Sequence, residues 1–468
     1  MIQEMKEAIL SSLKNDIIFL LALFFLSNFC FAQKYSRGLI LDSEEDSKVQ
    51  RSPTLILSDY FSLPKYFSLK NYAPEPGDQG PYSTCGAWAT AYSARTISFL
   101  ISNGLEYVDK NNYCFSPSFV YNQIKKDSLC LSGISLKEAL DIIKYKGSIF
   151  LSDFNYSCES LVKRSDLIKA KNYDILDYRE IFYRNDKLKV LKTKKCISEF
   201  RPVIIAMACP ISFENVFEIW EPTNEDYNNS HNGHAVVVTG YDDEKYGGAF
   251  EILNSWGKEW GKNGYCWIKY KDFEHFVYNG YELIEKVNLA NSNFAYNGSI
   301  YLKLLDGSLM EFEKKNGIIT SKNKYLPKTR FEIFITNNTP CYLYCFSLDN
   351  ENNFTRIFPK DSSVNNIFPY RKSTFPIPDE FHFLELDDKG SEDYIFILLS
   401  KKNIDLSEIF FFRKQNSNQI ANQLISKLLS NQENSNTISL DSDNIILFNS
   451  VTNYDNIFPI IIKLKKRR

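Results

Sequence analysis

DQGPYSTCGAWATAY, residues 78–92, sets a cysteine where a turn-rich loop gives way to small and aromatic residues. Gly77, Gly80, Pro81 and Ser83 break regular structure ahead of Cys85. From there to Ser102 only Gly86 opposes a helix, at little cost in a first turn. The pattern predicts a helix over 85–102 with the thiol at its N-terminus. Unpaired N–H groups and the helix dipole favour an anion at that place. Such surroundings turn a thiol into a thiolate near neutral pH.

A thiolate that does chemistry needs a base, and the chain offers four histidines: His231, His234, His275 and His382. His234 opens HAVVVTGY, a strand pattern that runs into the turn DDEKYGG, and AFEILNSW returns from it with Asn254. Positions 234 and 254 are symmetric about residue 244, so a regular antiparallel hairpin opposes them on one face. An asparagine oxygen on the imidazole would fix its tautomer and stabilise the imidazolium. Gln79, six residues before Cys85, brings a neutral amide donor. With the Cys85 backbone N–H it could hold the oxyanion of a tetrahedral intermediate. Alone, a cysteine reads as a small buried hydrophobe and a strand histidine as a core residue. Donor, nucleophile, base and orienter in this order point instead to acyl transfer.

DQG with STCGAWA, then NGHAVVVTGYDD, then ILNSWGKEWGKNGYCWI resemble the nucleophile, histidine and asparagine segments of papain-like cysteine peptidases, the last most specifically. The resemblance spans about 67–290 and implies a two-lobed α+β fold, a helical lobe against a β lobe, with the site in the cleft between them. It implies Cys85, His234, Asn254 and Gln79 as catalytic residues. It also implies Trp256 as the ring that shields the His–Asn hydrogen bond, with Trp88 in support. The spacing Cys-x-x-Trp-Ala resembles the bacterial branch of the family. Tyr82 stands where relatives carry a cysteine three places before the nucleophile, so the usual bridge to the helical lobe is absent. Only about 35 residues precede SLPKYFSLKNY after the leader, too few for the long helical pro-domain of many relatives, so latency has to come from elsewhere. No residue identifies the pocket that sets substrate preference.

Outward from this block, SPSFVYNQI (116–124) and SLKEALDIIKYKG (135–147) carry helix caps, with Ser116 before Pro117, Ser135 with Glu138, and Gly147 as the stop. PVIIAMA, HAVVVTGY, AFEILNSW and YCWIKY read as strands. Beyond residue 298 strand patterns dominate to 466, interrupted by the helical QIANQLISKLL. This region, RFEIFITNNTPCYLYCFSLDNENNFTRIFPKD above all, is similar to a small domain of unassigned function found in bacterial surface and protease proteins. It is expected to form a separate β-rich accessory domain, possible seat of a cell-surface or protein partner.

A formal charge of -2 over 468 residues gives no reason to expect nucleic acid. Motifs for zinc, phosphate or a serine nucleophile are absent, and neither a metal nor a cofactor is implied. Protein or peptide substrates are. Ile17 to Leu26 is an unbroken apolar run, followed by Cys30 and Ala32 in a small-residue cleavage pattern. It predicts a signal peptide over 1–32 and an exported protein, periplasmic, cell-surface or secreted, with no integral span after cleavage. Membrane anchoring by the uncleaved segment is the alternative. Residues 33–66 read as a linker or short pro-segment. Of ten cysteines, loss of Cys30 and reservation of Cys85 leave eight for up to four bridges. Cys114 with Cys130 and Cys158 with Cys196 are the expected local pairs, whereas Cys209 and Cys266 read equally well as buried hydrophobes. Cys341 and Cys345 are too far apart along a strand to bond each other.

The reading is therefore an exported cysteine endopeptidase with an accessory domain. The rival is a catalytically silent, papain-shaped binding or scaffold protein of the cell envelope.

Overall fold

A computed structural model describes residues 35–286, 295–351, 353–368, 370, 373–406, 420–430, 437–451 and 457–467. The expected signal peptide, with Cys30, lies outside the described residues. The helix expected over 85–102 forms as α-helical Cys85–Ala87, π-helical Trp88–Arg95 and α-helical Thr96–Ser102. Every residue from Cys85 to Ser98 is buried. Small residues (Gly86, Ala87, Ala89, Ala91, Ala94) let the backbone run through the centre of the domain rather than across its surface. The one charge on it, Arg95, is neutralised by Glu285 at 2.8 Å.

The two capped helices follow their signals. Ser116 Oγ accepts from Phe119 N at 3.2 Å ahead of Pro117–Tyr121, and Ser135 and Glu138 satisfy each other's backbone ahead of Leu136–Tyr145. Gly147 ends the second helix at φ +91°, where a Cβ would lie 1.9 Å from the Ala170 carbonyl oxygen.

These helices pack against an eight-stranded sheet made of β1 (Tyr66–Ser68), β2 (Asp177–Phe182), β3 (Val203–Ala208), β4 (Ile219–Trp220), β5 (Gly233–Asp242), β6 (Ala249–Leu253), β7 (Tyr265–Lys269) and β8 (Val277–Ile284). The order is β2-β8-β3-β5-β6-β7-β4, with β1 on β5. All residues of β3, and of β5 as far as Tyr241, are buried, which suits their nearly continuous apolar sequences.

The β5–β6 hairpin departs from the symmetric register expected of it. Val237 pairs with Leu253 and Val238 with Ile252, so His234 projects past the end of β6 and sits diagonal to Asn254, not opposite it. Two features shift the register: a bulge between Val238 and Gly240, and a turn that spends a left-handed residue, Tyr246 at φ +55°, before Gly247 and Gly248. The parity survives, so the two side chains still share a face.

Cysteine pairing also differs from expectation. The disulfide joins Cys130 to Cys158, while Cys114 and Cys196 are buried free thiols, as are Cys85, Cys209, Cys266, Cys341 and Cys345. Cys196 lies instead 3.2 Å from the Tyr370 hydroxyl in a polar cluster at the domain boundary. Proximity in space, not in sequence, selected the bridge.

The β-rich C-terminal domain, whose strands begin with Ala295–Leu304, holds a seven-stranded and a six-stranded sheet. The first is built around Cys341–Leu348, Glu392–Ser400 and Phe458–Lys466, and the helix Ile420–Ser430 packs its buried Leu424 and Leu428 on one face of it. The domain meets the edge of the first sheet through a buried charge cluster. Arg179 on β2 donates to Glu282 on β8 at 2.6 Å and to the Ile367 carbonyl at 2.9 Å, and Tyr370 donates to the same carboxylate at 3.0 Å.

Residues 35–61 tie these parts together. Arg51 N donates to Ser363 O at 2.7 Å and Ser52 N to Glu180 O at 2.8 Å, which seats the segment between β2 and the C-terminal domain. Farther along, Ile56 N donates to Thr374 O at 3.0 Å. Short helices at Ser43–Asp46 and Leu57–Phe61 replace the irregular chain expected there. Among the described residues no helix is long and apolar enough to cross a membrane.

Candidate active site

The structure brings Gln79, Cys85, His234 and Asn254 together in the cleft between the helices and the sheet. Cys85 is the first residue of its helix, after Thr84, and the backbone N–H groups of Gly86 and of Ala235, the neighbour of His234, favour its thiolate. His234 and Asn254 are joined directly: His234 Nε2 lies 2.8 Å from Asn254 Oδ1. An amide oxygen can only accept, so Nε2 carries the proton and Nδ1 is the basic nitrogen. Nδ1 has no hydrogen-bond partner among the described residues. Asn254 is fixed in turn by the Ser255 N–H, which donates to the same Oδ1 at 2.8 Å.

Trp256 lies over this pair. Its ring stacks on the imidazole with centroids 4.5 Å apart and an angle of 26°. The indole is 2% exposed, so it keeps water from the His–Asn hydrogen bond. Trp88 stands away from the reacting groups, under the loop that carries Gln79, packed against Tyr92 and Tyr156.

Gln79 is held at both ends. Ser255 Oγ donates to its Oε1 at 2.7 Å, which orients the amide, and Nε2 donates to Tyr82 O at 2.8 Å. Tyr156 completes the support by donating to the Gln79 carbonyl at 2.9 Å and bonding Thr84 Oγ1 at 2.8 Å. Ser255 and Tyr156 escape the sequence reading. The first had a signal, its place beside Asn254; the second had none.

A strap from the N-terminal segment fills the cleft. Gly38 N donates to Cys85 Sγ at 3.3 Å, Leu39 N to Gly233 O at 3.2 Å, and Ile40 N to Ile134 O at 3.0 Å. Ser36 O accepts from Gln79 Nε2 at 3.1 Å and from Trp256 Nε1 at 3.2 Å, and Tyr35 stacks on Trp256 at 4.7 Å. The stretch taken for a linker or short pro-segment thus supplies the closure for which the sequence showed no source.

Closure sets the protonation state. Burial pushes the Cys85 thiol up, against the backbone N–H groups that favour its thiolate. Burial likewise brings His234 down to about 3, with the Asn254 hydrogen bond opposing. Burial in the closed cleft therefore favours the neutral thiol and neutral imidazole over the charged pair expected from a helix N-terminus alone. Desolvation outweighs the dipole here because both groups are fully buried.

Residues 82–281 match the family model for papain family cysteine proteases, and residues 324–403 match a domain of unknown function (DUF4384). A cysteine protease of Blomia tropicalis is 24% identical over 230 residues, 47% of this chain and 66% of that protein. Vignain of Phaseolus vulgaris is 25% identical over 193 residues, 40% of this chain and 49% of its own. The chain therefore spans about half to two thirds of the length of these relatives. Among solved structures, xylellain, a cysteine protease from Xylella fastidiosa, aligns at 21% identity with a TM-score of 0.44, covering 54% of this chain and 96% of that one.

Proposed function

We propose that this chain, which carries a papain-like cysteine peptidase domain, is an exported cysteine endopeptidase kept closed by its own N-terminal strap. The observation that carries the reading is the shielded His234–Asn254 hydrogen bond beside the Cys85 sulfur, with an oriented amide donor at Gln79. Residues 67–290 are taken as the peptidase unit and 298–466 as the accessory domain. The Cys130–Cys158 bridge favours an oxidising compartment and hence export.

When the strap leaves, Cys85 passes its proton to His234 Nδ1 and the thiolate attacks a peptide carbonyl carbon. The carbonyl electron pair moves to oxygen, which accepts from the Cys85 N–H and from the Gln79 Nε2–H that Ser36 O now occupies. Collapse of the intermediate breaks the C–N bond, and the leaving nitrogen takes the proton from Nδ1. Nδ1 then accepts a proton from water, whose oxygen attacks the thioester carbon; the C–S bond breaks, the carboxylic acid leaves, and sulfur takes the proton back from Nδ1. Asn254 holds the ring through each transfer.

A thiol-directed peptide epoxide tests the reading. In a protein opened by Gly38→Val, one equivalent should react at Cys85 under reducing conditions, with peptide hydrolysis lost in step, and neither should occur when His234→Ala is added. Equal labelling of both proteins without hydrolysis would favour the silent scaffold, a reading that the filled cleft also admits.

A further inference from the structure

The strap is the front end of a longer segment that lies between the two domains and bonds both. Toward the peptidase sheet, Glu180 N on β2 donates to Gln50 O at 2.9 Å, and Ser52 N donates to Glu180 O at 2.8 Å. Toward the C-terminal domain, Arg51 N donates to Ser363 O at 2.7 Å, and Asn365 N donates to Arg51 O at 2.9 Å. Arg51 thus bridges to Glu180 on one side and to Val364 on the other, both parallel, as a strand does between two neighbours. Side chains reinforce the second contact. Gln50 Nε2 donates to Ser362 O and Gln50 Oε1 accepts from Asn365 Nδ2, each at 3.0 Å, and Asn365 is buried. Farther on, Ile56 N donates to Thr374 O at 3.0 Å, and Thr374 N returns a bond to Asp59 Oδ2 at 2.6 Å.

We infer that the C-terminal domain is the anchor of the strap: its grip on Gln50–Asp59 holds residues 36–40 in the cleft, and parting of that contact opens Cys85 from a distance. The inference rests on the strap-closed reading above. The strap competes for the cleft as an intramolecular ligand, so its occupancy follows its effective concentration, which depends on tether length. With the grip made, the tether runs from Ile40 only to the bridge at Gln50. The β2 side does not suffice alone, because two hydrogen bonds at an uncovered sheet edge are open to water. With the grip undone, the next fixed points are the helix Leu57–Phe61 and then β1, where Tyr66 pairs with Asp242. The tether then grows from about 10 residues to about 17 or 26, and the −3/2 power law lowers the effective concentration about two- to fourfold. The C-terminal domain thereby bears on the active site without touching it.

The test uses the full chain carrying Arg51→Pro with Ile56→Pro, which deletes two backbone donors to the C-terminal domain; Ile56 has φ −63°, a value proline adopts. Alkylation of Cys85 by iodoacetamide reports the open fraction, and alkylation of Cys266, buried in β7, reports unfolding of the peptidase core. The Cys85 rate should rise about two- to fourfold over the wild type while the Cys266 rate stays the same. An unchanged Cys85 rate overturns the anchor. Where both rates rise together the core has unfolded, and Gln50→Ala, which removes only the side-chain bonds, is read on the same two thiols: a rise at Cys85 alone supports the anchor, and no rise overturns it. Neither rate needs turnover, so absence of hydrolysis in an opened chain overturns the peptidase reading and leaves the anchor standing.

Discussion

The backbone N–H of Gly38 donates to the sulfur of Cys85 across 3.3 Å, so the nucleophile faces a nitrogen where a substrate would present a carbonyl carbon. The Gln79 amide meanwhile holds the carbonyl of Ser36, two residues away. Nucleophile and oxyanion donor thus address different peptide groups. Attack needs one carbonyl within reach of both. The strap blocks that position in the cleft.

Gly38 is where this closure is most easily broken. A Cβ there would lie 2.1 Å from the Ser83 carbonyl oxygen, a contact that neither backbone can relieve. Gly38→Val should expel the strap and raise the rate of Cys85 alkylation by iodoacetamide at least about tenfold, a free-energy change near 1.4 kcal/mol. Mass spectrometry of the labelled peptide measures it. An unchanged rate would show that the strap does not limit access.

Once the cleft is open, the supporting groups should separate by role. Gln79→Ala should lower kcat by about 10²–10³, the usual cost of one oxyanion donor, while KM moves little. Ser255→Ala should lower kcat by less, because Gln79 keeps its hydrogen bond to the Tyr82 carbonyl and loses only the one that orients its oxygen. Steady-state kinetics on one peptide distinguishes the two.

Acid should weaken the closed fold through His234. Its value of about 3 lies below the ordinary 6.5, so between these limits the unfolded chain binds one more proton than the folded one. The contribution of the neutral ring is complete above pH 6.5 and declines as pH falls toward 3, by about tenfold in the folding equilibrium per pH unit. Urea midpoints at pH 7 and pH 5 should drop more for the wild type than for His234→Gln. Parallel drops would refute the assignment.

The Cys130–Cys158 bridge closes a loop with a sequence separation of 28. Chain entropy puts its stabilisation at about 3–4 kcal/mol. Reduction, or Cys158→Ser, should lower Tm by several degrees, and reductant should leave the Cys158→Ser protein where it is. Cys114→Ser and Cys196→Ser should show no loss of a bridge in non-reducing peptide maps.

At the domain boundary, Glu282 is fully buried with Arg179 and Tyr370 as partners. Arg179→Met leaves that carboxylate short of its main cation and should cost about 3–5 kcal/mol. Replacing both, Arg179→Met with Glu282→Leu, should recover much of the loss. A double-mutant cycle on unfolding free energy reads the coupling directly.

How much of this could be read from the chain depends on the range of each signal. The helix at 85–102, the Ser135–Glu138 box and the stop at Gly147 are set by neighbours within a turn or two, and they form where the residues place them. His234 and Asn254 meet because even spacing keeps side chains on one face, even though a bulge and a left-handed turn moved the register by two. Burial was not legible. A strap 47 residues upstream lies against Cys85, and burial of sulfur and imidazole favours their neutral forms over the charged pair that a helix N-terminus suggests.

Local order along the chain therefore fixed which groups could do chemistry and on which elements they ride, since caps, turns and strand parity act over a few residues. The folded chain alone decided that Cys130 bonds Cys158, that residues 35–41 occupy the cleft, and that Arg37 of that segment pairs with Glu214. Those outcomes depend on distances between segments far apart in sequence. Such distances are settled by the packing of the whole core, and no spacing of residue types encodes them.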